Sequence, residues 1–359
     1  MFKKTLTKPD GRSLYLYSHS QIADNIVPTN PKNDGAKATP HMRWHPFRRE
    51  WVIFAGHRQN RTFLPPKDFS PLAVTKNADF PTEMPEGNYE IAVFENLFPS
   101  MNETTTEAPA MGVPTAPAKG VCEVVVFTQD PDTSLGQLPL DRVELVLKVW
   151  ADRTVELAKH EDIQYVMPFE NRGVEMGVTL HHPHGQIYAY SFVPPVQERV
   201  LESMKAHPGG KLLEELIAGE LKDKERVIVE TENVIAFIPV FARYPYETWI
   251  APKKGFQHLH EMDPKTMKEM ALVLKTLLLK FDHLWEKPFP YLMNLFQAPV
   301  DGNDYPFAHL YMQLTPPYRT KDRLKYLAGT ELGAGIFVND SVPEEKAKEL
   351  KDVNVEKFL

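Results

Sequence analysis

Residues 169–190 read FENRGVEMGVTLHHPHGQIYAY, and His181, His182 and His184 fall within four positions of one another. Three of the chain's 13 histidines share this stretch, a density that tells against chance surface histidines. Pro183 lacks a backbone donor and fixes φ, so the run cannot lie inside a helix. It also pushes His182 toward extended geometry. Side chains two apart on an extended chain share a face. His182, His184 and Gln186 are therefore expected on one face, with Ile187, Ala189 and Phe192 on the other. Two chemistries fit. As metal ligands, His182 and His184 need further partners; His57, His181, His309 or a carboxylate are candidates, none at a diagnostic spacing. As a nucleophile, one imidazole attacks an electrophile directly, one ring N–H being held by a carbonyl or carboxylate while the other nitrogen keeps its lone pair. Phosphorus is the natural target, because attack by nitrogen gives a phosphoamidate that splits one transfer into two. Positioning and charge stabilisation dominate such catalysis. Gln186 could donate to a non-bridging phosphate oxygen, and one such donor is worth roughly two orders of magnitude in rate.

The elements that must position these groups read outward from the stretch. A strand over 164–169 precedes it and Pro194-Pro195 ends the unit. Residues 120–127 (GVCEVVVF) read as a buried strand from their valines. Asp141-Arg142-Val143-Glu144 has the form of a capping box. It opens a helix whose apolar positions Val143, Val146, Leu147, Trp150 and Leu157 keep helical spacing. A strand over 51–55 ends in Gly56-His57-Arg58, with Arg61 three residues on. Two arginines past a strand end can grip phosphate by forked hydrogen bonds, or stand solvated. A strand over 89–94 leads to Asn96. Residues 62–88 are proline-rich loop, 102–119 are expected to be a mobile loop, and 1–40 a polar extended arm, with order beginning at His41.

After Pro195 the plan starts again. Helices are expected over 196–206 and 211–222, then strands over 226–231, 234–240 and 248–251. A helix opened by Asp263-Pro264 and strands over 291–296 and 308–315 follow. QYVMPF (164–169) answers PYLMNLF (290–296), and HPHGQIYAYSFVPP (182–195) answers HLYMQLTPP (309–317). Tyr311 then stands where His184 stands, and Gln313 where Gln186 stands. Strands joined by loops and hairpins predict an α+β fold with antiparallel sheets flanked by helices. The division is an arm (1–40), a catalytic unit (41–195) and a second unit (196–359).

Composition narrows the partners. The 359 residues are 42% hydrophobic and 25% charged, ordinary for a folded chain. A net charge of −7 gives no field for nucleic acid or a membrane surface. An anionic substrate must therefore meet a local basic pocket. Cys122 is the single cysteine, which excludes an internal disulfide and any multi-cysteine zinc site. Neither a membrane-length apolar run nor a signal core stands in the sequence, so a cytoplasmic location is expected.

The stretch resembles galactose-1-phosphate uridylyltransferases, a branch of the histidine-triad superfamily. The resemblance rests on Phe169-Glu170-Asn171, Gly173, Met176-Gly177 and His182-Pro183-His184-Gly185-Gln186. Pro46, Trp51, His57-Arg58, Arg61, Asn96 and Phe98 match in order upstream; YPYETWIAPK (244–253) and LKYLAGTELGAG (324–335) match downstream. It implies two tandem histidine-triad-like units. It also implies that His184 takes a uridylyl group from UDP-glucose, releases glucose 1-phosphate, and passes the group to galactose 1-phosphate, giving UDP-galactose. The carbonyl of His182 would hold the His184 ring. Arg58, Arg61, Asn96, Asn171, Thr179 and Gln186 would contact nucleotide and phosphate. Lys325, Tyr326 and Glu331 would belong to a loop that reaches the neighbouring subunit of a homodimer.

Departures from the family pattern bear on metals and specificity. Of the family's zinc ligands only His182 is kept, with Pro131 near another ligand position. At the second metal site stand Val200, Phe296, Tyr311 and Gln313. No metal cofactor is therefore expected. Thr330 and Phe337 replace an expected Tyr and Gln in the hexose loop, which lowers discrimination between epimers. Two neighbouring activities remain as alternatives: an ADP-glucose-type phosphorylase, which HLYMQLTPP somewhat resembles, and a histidine-triad hydrolase, which needs His where Gln186 stands.

Overall fold

The computed structural model describes residues 1–32, 39–60, 65 and 70–359. In chain order its strands begin with β1 (Phe2–Thr7), β2 (Ser13–Ser18), β3 (His41–His45), β4 (Glu50–Phe54), β5 (Ile91–Glu95), β6 (Thr115–Pro117) and β7 (Gly120–Val126). They continue with β8 (Tyr165–Arg172), β9 (His184–Tyr190), β10 (Val227–Glu230), β11 (Val234–Phe237), β12 (Thr248–Pro252), β13 (Tyr291–Phe296) and β14 (Tyr311–Thr315). The helices are α1 (Leu140–Leu157), α2 (Pro195–Ala206), α3 (Leu212–Asp223), α4 (Pro264–Leu284) and α5 (Pro343–Lys351).

Eleven strands form one sheet, ordered β1-β2-β5-β7-β9-β8-β13-β14-β12-β11-β10. Every pairing between these strands is antiparallel. The two expected units thus share a continuous sheet. They meet where β8 pairs β13, Phe169 opposite Asn294 and Arg172 opposite Tyr291. About that seam the strand order runs outward alike, β8-β9-β7-β5 on one side and β13-β14-β12-β11 on the other. The fold is α+β.

Periodicity explains the layers. The apolar stripe of α1 buries Val143, Val146, Leu147, Trp150 and Leu157, and α4 buries Met267, Met270, Leu274, Leu278 and Phe281. The two helices cover one face of the sheet in a single core with Ile187, Ala189 and Leu295. Each aliphatic or aromatic side chain buried there stabilises the fold by about 1.5–3 kcal/mol. The opposite face is covered differently in each half. Met42, Trp51 and Ile53 of the small sheet β4-β3-β6 pack with Cys122, Tyr188 and Tyr190. In the second half, α2 and α3 bring Met204, Leu213 and Ile217 onto Ile235, Phe237 and Tyr311.

Polar groups tie the halves and layers. Lys275 of α4 donates to the carbonyls of Gly136 and Leu138 at 3.0 and 2.9 Å. Arg172 grips Asp282 through both terminal nitrogens, and Tyr291 donates to buried Glu170 at 2.8 Å. Under the first half, buried Arg153 of α1 forks onto buried Glu123 of β7 at 2.7 and 3.0 Å.

Three element-level expectations need correction. The 1–40 region is not an arm with order starting at His41: β1 and β2 form a hairpin on the sheet, with Leu14, Leu16 and Tyr17 buried. Asp10-Gly11 supplies its turn, and Gly11 takes the positive φ of 90° that such turns require. Residues 102–119 hold β6 in register against β3 and bury Thr105. The capping box at Asp141 does not form, because Pro139 precedes the first helical residue and no side chain caps that end. Asp141 instead lies in the first turn, where a carboxylate complements the helix dipole.

The Glu123–Arg153 pair yields a stability prediction. Arg153→Met strands a buried carboxylate and is expected to cost about 3–5 kcal/mol, read by urea denaturation. Adding Glu123→Leu to that variant is expected to recover most of the loss.

Candidate active site

The strand β9 begins at His184, paired with Val126 of β7 on one side, while Gln186 pairs with Phe169 of β8 on the other. A backbone fixed on both edges fixes where these side chains point. Gly185 lies between them because a Cβ there would meet the Phe169 carbonyl oxygen at 2.9 Å and the Phe127 ring at 2.8 Å. His184 and Gln186 face a cavity of about 500 Å³ together with Arg58, Asn96, Asn171 and Thr179. Phe94, Leu97 and Val124 supply apolar wall.

The ring of His184 is held by one short bond: Nδ1 donates to the carbonyl of His182 at 2.7 Å. Nε2 consequently carries the lone pair. Burial holds this imidazole below its ordinary value, while the bond to the His182 carbonyl pulls the other way. A neutral, oriented imidazole in a partly apolar cavity is equipped to attack an electrophile.

His182 does not share that face, contrary to expectation. The chain bends at His182 before the strand starts, so its ring turns away from the cavity and is buried. Its Nε2 donates to the Thr128 carbonyl at 2.7 Å, which anchors the peptide whose oxygen holds His184. Phe192 also departs: it packs on Tyr190 at 5.7 Å on the cavity side of the sheet. His181 is exposed.

Arg58 follows β4 on a short 3₁₀ turn, Gly56–Asn60. Its Nη1 donates to the Phe98 carbonyl at 2.9 Å and to Ser100 Oγ at 2.8 Å, which places the guanidinium at the cavity rim. Asn96 accepts from the Phe98 amide at 2.9 Å, turning the chain so that 96–98 curl along the wall. Arg61 lies outside the described residues. Lys325, Tyr326 and Glu331 are not at the cavity of their own chain. They belong to a loop in which Glu331 accepts from the amides of Ala328 and Val338 and from Lys325, and which rests on Arg243 and Tyr244 through Phe337. Those two amides hold its carboxyl down to about 2. Tyr326 stands 76% exposed, and Leu332 and Ile336 of the same loop are exposed as well.

Sequence reasoning missed part of the wall. Pro31, Lys32 and Glu83 line the cavity, brought there by contacts between distant segments that no local pattern announces. The aromatic Phe94 had a signal, since it alternates with buried Ala92 on β5 toward the same side.

At the positions of the second half that match His184 and Gln186, the side chains are packed rather than open to a cavity. Tyr311 stacks on Trp249 at 4.6 Å and packs on Phe296 at 5.1 Å. Gln313 donates to buried Glu247 at 2.9 Å. Val200, Phe296 and Tyr311 belong to one apolar cluster, so the second metal position implied by the resemblance lacks donors that would fit an ion. At the first, His182 has a buried Nδ1 with no partner; Pro65, Ser70, Pro131 and His181 line the small pocket beside it, and Asp130 and Asp132 act on the ring without closing to a three-ligand cluster. That set does not make a zinc site among the described residues.

A family model for the N-terminal domain of galactose-1-phosphate uridyl transferase matches residues 29–194, and one for its C-terminal domain matches 197–358. Fold and matches together define a nucleotidyltransferase. The chain is 38% identical over 325 residues to a galactose-1-phosphate uridylyltransferase of Thermotoga maritima, covering 88% of this chain and 99% of that one. A solved uridylyltransferase structure superposes with a TM-score of 0.76 at 30% identity, over 87% of this chain and 97% of the other. An Arabidopsis thaliana ADP-glucose phosphorylase with bound ADP-glucose gives 0.66 at 25% identity, over 88% of this chain and all (100%) of that one. The chain belongs to the galactose-1-phosphate uridylyltransferase family.

Two measurements probe the site directly. Gly185→Ala is expected to cost about 1–3 kcal/mol through overpacking and to shift the His184 ring resonances, read by denaturation and NMR. Because burial lowers its proton affinity, His184 is expected to be less than half protonated at about pH 6.5, where a free imidazole is half protonated, with its midpoint below that pH. An ¹⁵N-edited histidine titration checks this.

Proposed function

We propose that this enzyme transfers a uridylyl group from UDP-glucose to galactose 1-phosphate through a covalent His184 intermediate. The observation that carries the reading is the 2.7 Å bond from His184 Nδ1 to the His182 carbonyl, which leaves Nε2 as a lone pair at the cavity. Nε2 attacks the α-phosphorus; the P–O bond to glucose 1-phosphate breaks as the P–N bond forms, and glucose 1-phosphate leaves. A phosphate oxygen of galactose 1-phosphate then attacks the same phosphorus, the P–N bond breaks, and UDP-galactose leaves. Arg58, Arg61, Asn96, Asn171 and Thr179 would hold the nucleotide and its phosphates, while Gln186 donates to a non-bridging oxygen. Each group bears most on the non-bridging and leaving oxygens, where negative charge lies in the transition state.

The reaction sits in galactose metabolism, in the Leloir sequence, and the setting is cytoplasmic. No helix among the described residues is long and apolar enough to cross a membrane. The Lys325–Glu331 loop carries Tyr326 out into solvent, which suits a group that serves a partner's cavity in a homodimer. No metal takes part in either step. A second reading, ADP-glucose phosphorolysis, draws on the likeness to the Arabidopsis phosphorylase.

Mixing the enzyme with UDP-glucose alone is expected to release one equivalent of glucose 1-phosphate per active site and leave an acid-labile uridylyl-histidine. Steady release of UMP would mark a hydrolase. Release from ADP-glucose and phosphate, but not from UDP-glucose, would mark the phosphorylase. His184→Gly is expected to abolish transfer, and full activity in that variant overturns the mechanism. Dialysis against a chelator is expected to leave the transfer rate unchanged.

A further inference from the structure

On the α1 side of the sheet, away from the cavity, the segment before α4 makes a tight turn at Leu259–Glu261. It presents His258, His260 and Glu261 together, with one ligand atom from each lying within 4.8 Å of the others. The geometry points to a site for a single divalent transition-metal ion, zinc or a chemically similar ion, held by these three side chains and completed by water.

The argument begins with His258. Its Nε2 lies 3.2 Å from the Ala298 carbonyl oxygen, an acceptor only, so Nε2 must carry the proton and donate. Its Nδ1 lies 3.1 Å from Glu261 Oε1. A cation shared between Nδ1 and Oε1 satisfies both atoms at that distance, whether a proton on the ring, which makes an ion pair, or a metal ion that takes the proton's place. A ring whose far N–H is donated to a backbone carbonyl is the usual arrangement of a ligating histidine. The carboxylate is fixed in the same manner: Glu261 Oε2 accepts from the Gln257 amide at 2.9 Å. The His260 ring stacks on that of His258 at 5.2 Å and adds a second imidazole.

The turn itself is rigidly seated. Leu259 is buried in the main core, and its amide donates to Gln297 Oε1 at 3.1 Å. The Gln297 amide group reaches Thr154 of α1 at 3.3 Å, and the Ala298 amide donates to the Gln257 carbonyl at 3.0 Å. The backbone that carries the ligands is therefore fixed, and rotation of the exposed His260 and Glu261 side chains would close the remaining distance on binding. Two imidazoles and a carboxylate suit zinc, cobalt or nickel better than calcium or magnesium, which prefer all-oxygen shells. All three ligands come from one turn, so at this place the ion would brace the turn that leads into α4, a structural role separate from the cavity at His184.

The test is zinc binding to the full-length protein, first freed of metal, by equilibrium dialysis and calorimetry at pH 7.5. The wild type is expected to bind one more equivalent than either His260→Ala or Glu261→Gln. Both substitutions are at surface positions, so both variants are expected to fold, and circular dichroism checks that they do. Cobalt is expected to give ligand-field absorption bands in the wild type that His260→Ala lacks. The transfer rate of His260→Ala is expected to match the wild type. Equal zinc stoichiometry in the wild type and the two variants, or identical cobalt spectra, overturns the proposal.

Discussion

The site depends on one hydrogen bond, from the His184 ring to the backbone oxygen two residues earlier. A carbonyl is a better orienting group than a side chain because it has no rotamers of its own to freeze. Its direction is set by the peptide of His182, which is held from two sides. Pro183 restricts the chain after it, and the His182 ring is bonded to the Thr128 carbonyl. Residue 182 thus acts through its backbone while its imidazole serves as an anchor. This explains how a histidine can stand so close to His184 and still be turned away from the cavity.

The two halves are built on the same strand order, yet one holds an open cavity and the other a packed one. At matching positions on the same sheet face, His184 and Gln186 meet cavity while Tyr311 and Gln313 meet Trp249 and Glu247. A stacked aromatic pair buries more apolar surface than a histidine and a void could. The second half is therefore packed where the first is open, and the β8–β13 seam joins it to the strand beside β9. Asn171 shows the coupling: it lines the cavity from β8 while its backbone pairs with Leu292 of β13.

What could be read from the residues alone was what local periodicity controls. The valine run of β7, the helical stripe of α4 with Asp263 at its cap, and the Pro-bounded histidine run all declare themselves within a few residues. The self-similarity of 164–195 and 290–317 corresponds to the like strand order that the structure has on each side of the seam, an order the sequence itself did not supply. The first hairpin was harder to see, because β1 is an edge strand whose lysines and threonines are mostly exposed. Its partner β2 nonetheless alternates Leu14 and Leu16 with tyrosines around an Asp-Gly turn. The bend at His182 was hidden because parity along a strand predicts faces only where the strand exists. Cavity walls such as Glu83 depend on chain segments meeting in space, and spacing along the sequence carries no record of that.

The hairpin also bears on the site. Lys8, at the end of β1, is almost fully buried: its ammonium bonds the Thr29 and Glu83 carbonyls at 2.6 Å each and lies 4.9 Å from the centre of the Phe94 ring. Arg12 forks onto the Glu83 carboxylate and donates to the Glu95 carbonyl at 2.7 Å. A buried carboxylate is tolerable only with such partners, since stranding it costs several kcal/mol. Glu83 and Phe94 are both cavity wall, and Thr29 leads directly to Pro31 and Lys32, which are wall as well. The shape of the cavity on that side is thus set by two cations lying before residue 29, where the family match begins. The wall that meets a substrate and the charges that hold the wall in place belong to different parts of the chain. A substitution in the hairpin would reach the cavity through Glu83 without touching any ligand.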